Sequence, residues 1–592
     1  MGRHDWTNSL YKFTFLLAVS LASLVRSAQI SIGNRLPLWT WECINDKCVP
    51  TKPVLDGRMQ SLVTCNMLCS SIQLWPKPTG SVSLSTVAVP CRSDLFQLKI
   101  LQVPSTAVYG YLQDSFNLFK DDLRRMEPSV RGYEDWRSIV IRLVVNGSAD
   151  PRMRVGTDES YRLSLKPLAG TGNYLSVDIA ARTFCGARHA LETLVQMIWL
   201  DPYAGSLLIL EAAMVEDRPR FSYRGLLLDT ARNFFPVSEI LRLVDGMGMN
   251  KLNTLHWHMT DSKSFPMRFA VMPQLAEYGS YGPGAVYTPD DVRAVVRHAR
   301  LRGIRVLIEI DAPAHVGRAW SFGPKENLGD LAFCYDEDNW ASTCREPPCG
   351  QLNPENDEVF AILEQLYSDI IQMTGVTDLF HIGGDDISES CWSQNLENRA
   401  AVAEVWAKYT NEVLRRLKVV NQNSMPNLTI MWVSHQSERI KTDLKEFVPY
   451  LGLQIRGGGW SSGGVEGVRS IYSREDAWDL NDGLGDWWEN ARPSYNSWQE
   501  MYDHRPWGTS GSKNVEGGEA TIWSMRLGPE LEARVWPRAA AVAERLWADR
   551  PEGATRPVHA RLDVQRTRMM ARGVQATPVW SMWCTHHPYT CV

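Results

Sequence analysis

The chain has 592 residues, too many for one ordinary domain, so roughly two to four domains are expected. Apolar residues make up 44% and charged residues 22%, proportions that exclude a disordered chain. The net charge is −5 with no basic block, which argues against nucleic acid as a partner.

Arg3, His4 and Lys12 precede an apolar run from Phe13 to Val25, and the small residues Ser27 and Ala28 follow. This order predicts a signal peptide over residues 1–28. The run is shorter than the ~20 apolar residues that span a bilayer; a signal anchor is the alternative. Export places the protein outside the cell, at its surface, or in an endomembrane or lysosomal lumen. No later stretch predicts a stable transmembrane span.

Twelve cysteines fit export. Cys43, Cys48, Cys65 and Cys69 cluster early, Cys334, Cys344, Cys349 and Cys391 cluster mid-chain, and Cys584 and Cys591 lie at the end. In an exported chain these clusters predict disulfides, with the pairing left open. Zinc competes for the first four, but C-x4-C and C-x3-C are not its usual spacings. Asn146 and Asn427 open glycosylation sequons.

Residues 29–80 read as a disulfide-stapled cap that ends in the turn-rich Trp75–Gly80. From 81 to 220, strand patterns at Ser138–Val145 and Ser160–Leu165 and a helical face over Thr183–Trp199 predict a small α+β domain. From 221 to 592 the pattern alternates. Arg224–Asp229, Leu252–His258, Gly303–Glu309, Leu379–Ile382 and Leu428–Trp432 read as strands. Weaker candidates end at Ile455, Ile471 and Trp523. Helices are expected over Val237–Met249, after the Thr288 N-cap, and from Asn353 to Met373. Repeated β-α units predict an α/β fold with parallel strands: a (β/α)8 TIM barrel if eight close, or a doubly wound open sheet.

Polar residues gather just beyond the strands, where barrel enzymes hold their chemistry. His381-Ile-Gly-Gly-Asp-Asp386 puts two carboxylates after a glycine turn, a pairing suited to glycoside hydrolysis. An acidic helix N-cap is the competing reading of the dipeptide. Asp229, Asp261, Glu309, Asp311 and His315, with Trp257, Trp432 and Trp523, lie at other strand ends. Carboxylates beside indole faces make a sugar site.

Phe221–Asn233, Leu255–Pro266, Asp311–His315, His381–Asp386 and Trp536–Trp547 resemble the signatures of family-20 β-N-acetylhexosaminidases, and Trp39–Cys43 with Thr64–Cys69 resemble the N-terminal region of insect members. The resemblance runs from about residue 37 to the end. It implies a barrel behind a small α/β domain, a glycan or chitooligosaccharide substrate, and no metal or organic cofactor. It also implies substrate-assisted hydrolysis, in which the acetamide oxygen attacks C1. By position, Asp385 would orient the acetamide and Asp386 would be the acid, with Asp261 and His315 as its charge partners. Arg224 would hold sugar hydroxyls, and Trp432 and Trp523 would wall the pocket. Family members also form homodimers or pair with a related hexosaminidase.

Several positions depart from the family. The acid is Asp386 rather than Glu. Asp479 and Asn481 replace a Tyr and an Asp, Arg456 replaces a pocket Trp, and Met525 replaces a hydroxyl-binding Glu. Arg456 and Asp479, both new, are expected to pair inside the pocket. These changes leave a hexosaminidase of reduced turnover, or a pseudoenzyme that binds glycans or a partner.

Overall fold

The computed structural model describes residues 38–53, 59–69, 73–128, 136–168, 170, 173–335, 338–344, 346–396, 401–457, 464–481, 495–508, 514–525, 530–551 and 553–591. The expected signal peptide lies outside these residues. Among them, no helix is long and apolar enough to cross a membrane.

The described chain begins with a hairpin, Thr40–Ile44 and Lys47–Thr51, against the short helix Leu62–Leu68. Cys43–Cys69 and Cys48–Cys65 staple it in a nested pattern, so these four cysteines form disulfides. Cys334 pairs with Cys391, Cys344 with Cys349, and Cys584 with Cys591. Next comes a six-stranded mixed sheet built from strands between Val82 and Asp217. The helix Phe184–Gln196, capped by Thr183, packs on strands Tyr161–Pro167 and Tyr174–Ala181 and on helix Thr106–Met126.

Eight parallel strands then close a barrel: β1 Tyr223–Asp229, β2 Thr254–Thr260, β3 Arg305–Ile310, β4 Leu379–His381, β5 Leu428–Trp432, β6 Leu451–Ile455, β7 Arg469–Tyr472 and β8 Val515–Ile522. Closure decides between the two architectures that the alternating pattern left open. The Val237–Met249 helix forms as read, and Thr288 caps Pro289–Arg300 with a reciprocal bond to Asp291. The next helix starts later than expected. Asn356, not Asn353, caps Asp357–Thr374, because Asn353 is spent on the preceding turn, where its side chain bonds Asp330 and Glu355.

Strand parity sorts the barrel residues. Leu226, Leu228, Leu255, Trp257, Val306 and Ile308 join the large core shared with the helices. The alternate positions Leu227, Trp432 and Trp523 form a separate cluster inside the barrel. Polar residues fill much of the remaining interior. Glu309 accepts from His256 Nε2 at 3.0 Å, His258 Nδ1 at 2.6 Å and Trp432 Nε1 at 2.7 Å. Glu519 accepts from Tyr223 at 2.7 Å, His256 Nδ1 at 3.0 Å and Gln454. Packed side chains, not a pore, fill the barrel.

Candidate active site

The C-terminal ends of the strands gather the chemistry. After β4 the chain turns through Gly383 and Gly384 at φ +73° and +103°. A Cβ on Gly383 would lie 2.3 Å from Asp311 Oδ1, so only glycine fits beside that carboxylate. The turn delivers Asp385 and Asp386 side by side, with Asp386 left-handed at φ +47°. The Asp386 amide donates to Asp385 Oδ1 at 3.0 Å.

Asp261 follows β2 and His315 follows β3. His315 Nδ1 lies 3.0 Å from Asp261 Oδ2, and its Nε2 lies 3.5 Å from Asp386 Oδ2. Burial alone would discharge His315, but Asp261, Asp386 and Asp311 together hold its pKa well above the usual range. Burial would likewise raise Asp261, but Arg232 and then His315 hold it well below the carboxylate range. The imidazole is thus held toward its protonated form, with Nδ1 toward the Asp261 carboxylate and Nε2 toward the Asp386 carboxyl.

Asp385 faces the other way. Its Oδ2 accepts from Arg456 Nη1 at 2.5 Å. Burial, then repulsion from Asp386, raises the Asp385 pKa in spite of Arg456. The Arg456 carbon stands 5.1 Å from the Trp523 ring centroid and 5.8 Å from that of Trp432. The ion pair expected between Arg456 and Asp479 is therefore corrected: Arg456 reaches across the mouth to Asp385. Asp479 is buried elsewhere, bridging Thr521 and accepting from the Asn481 amide at 2.8 Å. The Asn481 side chain donates to the Trp523 carbonyl, and Met525 packs against Trp432, Trp523 and Leu227.

Arg224 is not in the mouth. It lies at the N-terminal end of β1, on the parity that faces the helices, and is fully buried. Its Nη1 donates to Glu159 at 2.9 Å and to the Phe221 carbonyl at 2.8 Å, and its carbon lies 4.9 Å from the Trp547 ring. It fastens the barrel floor to the loop before strand Tyr161–Pro167. The arginine at the mouth is Arg232, three residues past the end of β1. It contacts Asp261 and Glu346, each at 2.8 Å, and lies 5.2 Å from the Trp523 ring. Arg232 ends the same sequence motif as Arg224, and strand direction alone separates them. Trp257 belongs to the outer core, where it packs on Tyr287 with centroids 5.0 Å apart.

Asp311 is a further buried carboxyl at the mouth. Burial, then the charge of Glu309, pushes its pKa up to about 8. Its Oδ1 accepts from the Gly384 amide at 3.3 Å, bracing the turn that carries the aspartate pair. Asn146 and Asn427 are both exposed. Three groups of His, Asp and Glu lie close enough to share an ion. In the group of His258, Asp261 and Asp311, Arg232 Nη1 stands 3.1 Å from His258 Nε2 and already supplies the positive charge.

Two family descriptions match the chain: "Glycosyl hydrolase family 20, catalytic domain" over residues 221–550 and "beta-acetyl hexosaminidase like" over residues 74–197. The chain is 33% identical over 609 residues to a probable beta-hexosaminidase fdl of Drosophila melanogaster, covering 94% of this chain and 91% of that one. It is also 33% identical over 601 residues to a chitooligosaccharidolytic beta-N-acetylglucosaminidase of Ostrinia furnacalis, covering 95% and 97%. In fold it resembles a GH20 exo beta-N-acetylglucosaminidase from Vibrio harveyi, with TM-score 0.65 and 20% identity over 86% of this chain and 79% of that one.

Proposed function

Because the chain belongs to glycosyl hydrolase family 20, we propose that it hydrolyses terminal β-linked N-acetylhexosamine from glycans or chitooligosaccharides, by the substrate-assisted retaining route and at reduced turnover. The observation that carries this reading is the line Asp261–His315–Asp386. It holds a carboxyl at the edge of a mouth walled by Trp432 and Trp523, beside a second carboxyl on Asp385.

In this reading the substrate's acetamide oxygen attacks C1. Asp386 gives its proton to the departing glycosidic oxygen, and the C1–O bond breaks. Asp385 accepts from the acetamide N–H and offsets the positive charge of the oxazolinium. Water then attacks C1, returns a proton to Asp386 and restores the acetamide. Arg232, in place of Arg224, is the arginine that reaches sugar hydroxyls. The reduced turnover follows from side-chain length. Aspartate is one methylene shorter than glutamate, and a misplacement of about 1 Å can cost about a hundredfold in rate.

Five disulfides suit an exported protein or a lumenal one. Relatives named as beta-hexosaminidase subunit beta support a homodimer or a heterodimer with a related chain. A second reading, a protein without turnover that binds glycans or a partner, is favoured by one observation: Asp385, the group that would orient the acetamide, is already taken by Arg456.

Single-turnover hydrolysis of an aryl β-N-acetylglucosaminide separates the two. The first reading expects slow release, abolished by Asp385→Ala and raised about tenfold to a hundredfold by Asp386→Glu. Absence of release from both the wild type and Asp386→Glu overturns it and leaves the binding protein.

A further inference from the structure

We propose that Arg456 is a built-in occupant of the sugar cradle, and so the side chain that sets which ligands the mouth admits. The inference rests on reading the mouth as a sugar site. It concerns binding, and its test needs no turnover.

Backbone geometry commits Arg456 to this place. It follows Ile455, the last residue of β6, and continues the inward parity of Gln454, whose amide reaches Glu519 in the barrel interior. Its carbonyl accepts from the Glu475 amide at 2.7 Å. The next residue, Gly457, has φ +107°, and a Cβ there would come within 2.8 Å of the Arg474 guanidinium. Arg456 points into the mouth, toward Asp385, with its side chain 23% exposed.

A neutral N-acetylhexosamine needs two things here: indole surface for its ring and acetamide, and a carboxylate to accept from its amide N–H. One guanidinium holds both. Its carbon lies 5.8 Å from the Trp432 ring centroid and 5.1 Å from that of Trp523, and its Nη1 holds Asp385. A ligand must exchange a charge-assisted bond for a weaker amide bond to the same oxygen, and must displace a cation from aromatic faces. Both exchanges oppose binding. A guanidinium is also permanently charged, so no ordinary pH change removes the competitor.

The test is calorimetric titration of the full-length protein with N-acetylglucosamine, beside Arg456→Met and Arg456→Trp. Met fills the space without charge, and Trp restores an aromatic wall. Circular dichroism and the thermal midpoint verify folding, and either folded variant suffices. Should both unfold, Arg456→Lys, which keeps the charge and loses the planar fork, gives an intermediate gain. We expect Kd to fall at least about tenfold, and the gain to vanish when Asp385→Ala is added. An unchanged or weaker Kd in the folded variants overturns the proposal, as does absence of binding throughout. Failed hydrolysis with tighter binding would overturn the enzyme reading alone.

Discussion

The Arg232 guanidinium and the Glu346 carboxylate meet at 2.8 Å although 114 positions separate them in the chain. Glu346 lies in the loop that the Cys344–Cys349 disulfide closes, and Lys263 holds its second oxygen at 3.0 Å. The cystine loop thereby fixes Arg232 toward Asp261 and Trp523. Glu346→Ala should lower the unfolding free energy by about 1–3 kcal/mol, since the buried Arg232 loses one of its carboxylate partners and keeps Asp261. Thermal and urea unfolding read this directly. A midpoint equal to wild type would show that the loop does not support Arg232. Cys344→Ser with Cys349→Ser should shift stability in the same direction.

Glu309 is the hub of the barrel interior. Three donors converge on it, from His256, His258 and Trp432. Glu309→Gln keeps the shape, but its amide nitrogen faces donors and the nearby imidazoles lose their counter-charge. We expect a loss of about 3–5 kcal/mol, together with an altered near-ultraviolet circular dichroism spectrum as Trp432 loses its anchor. An unaltered spectrum would mean that Trp432 is held by packing alone.

Local patterns in the sequence carry the fold because they alternate at the right periods. The runs ending at Asp229, Glu309 and Trp432 become β1, β3 and β5, and the glycine pair before Asp385 becomes the left-handed turn. Other features needed the third dimension. The motif Phe221–Asn233 contains Arg224 and Arg232, and only the direction and parity of β1 assign one to the floor and one to the mouth. Arg456 and Asp479 looked like partners because both were new. A barrel mouth, however, lets a long side chain cross to another strand's loop, and Arg456 meets Asp385 there. Glu346 carries no signal beyond its place between two cysteines.

The two arginines give a direct contrast. Arg224→Met should destabilise the protein, because Glu159 would lose the guanidinium that, against burial, holds its pKa down near about 2. Its affinity for N-acetylglucosamine should remain that of the wild type. Arg232→Met should instead weaken that affinity by about tenfold. Equal effects of both variants on affinity would refute the assignment of floor and mouth.

His256 makes stability depend on alkaline pH. Its two ring nitrogens face Glu519 and Glu309, each at 3.0 Å. Burial alone would lower its pKa, but the Glu519 charge and then the Glu309 bond raise it to about 9. The folded state therefore keeps a proton that the unfolded chain releases near pH 6.5. The resulting stabilisation is complete below about pH 6.5 and is lost as pH rises through about 9, a change on the order of 3 kcal/mol. Asp311, raised to about 8, acts with the same sign, since the folded state holds its proton above the unfolded value and loses that advantage as pH rises. Unfolding midpoints measured from pH 6 to 9.5 should fall steadily, and His256→Gln should make the fall shallower above pH 6.5, leaving the share that Asp311 and His258 contribute. A wild-type profile that is level across this range would mean that His256 is neutral in the fold and that Glu309 and Glu519 are balanced by other donors.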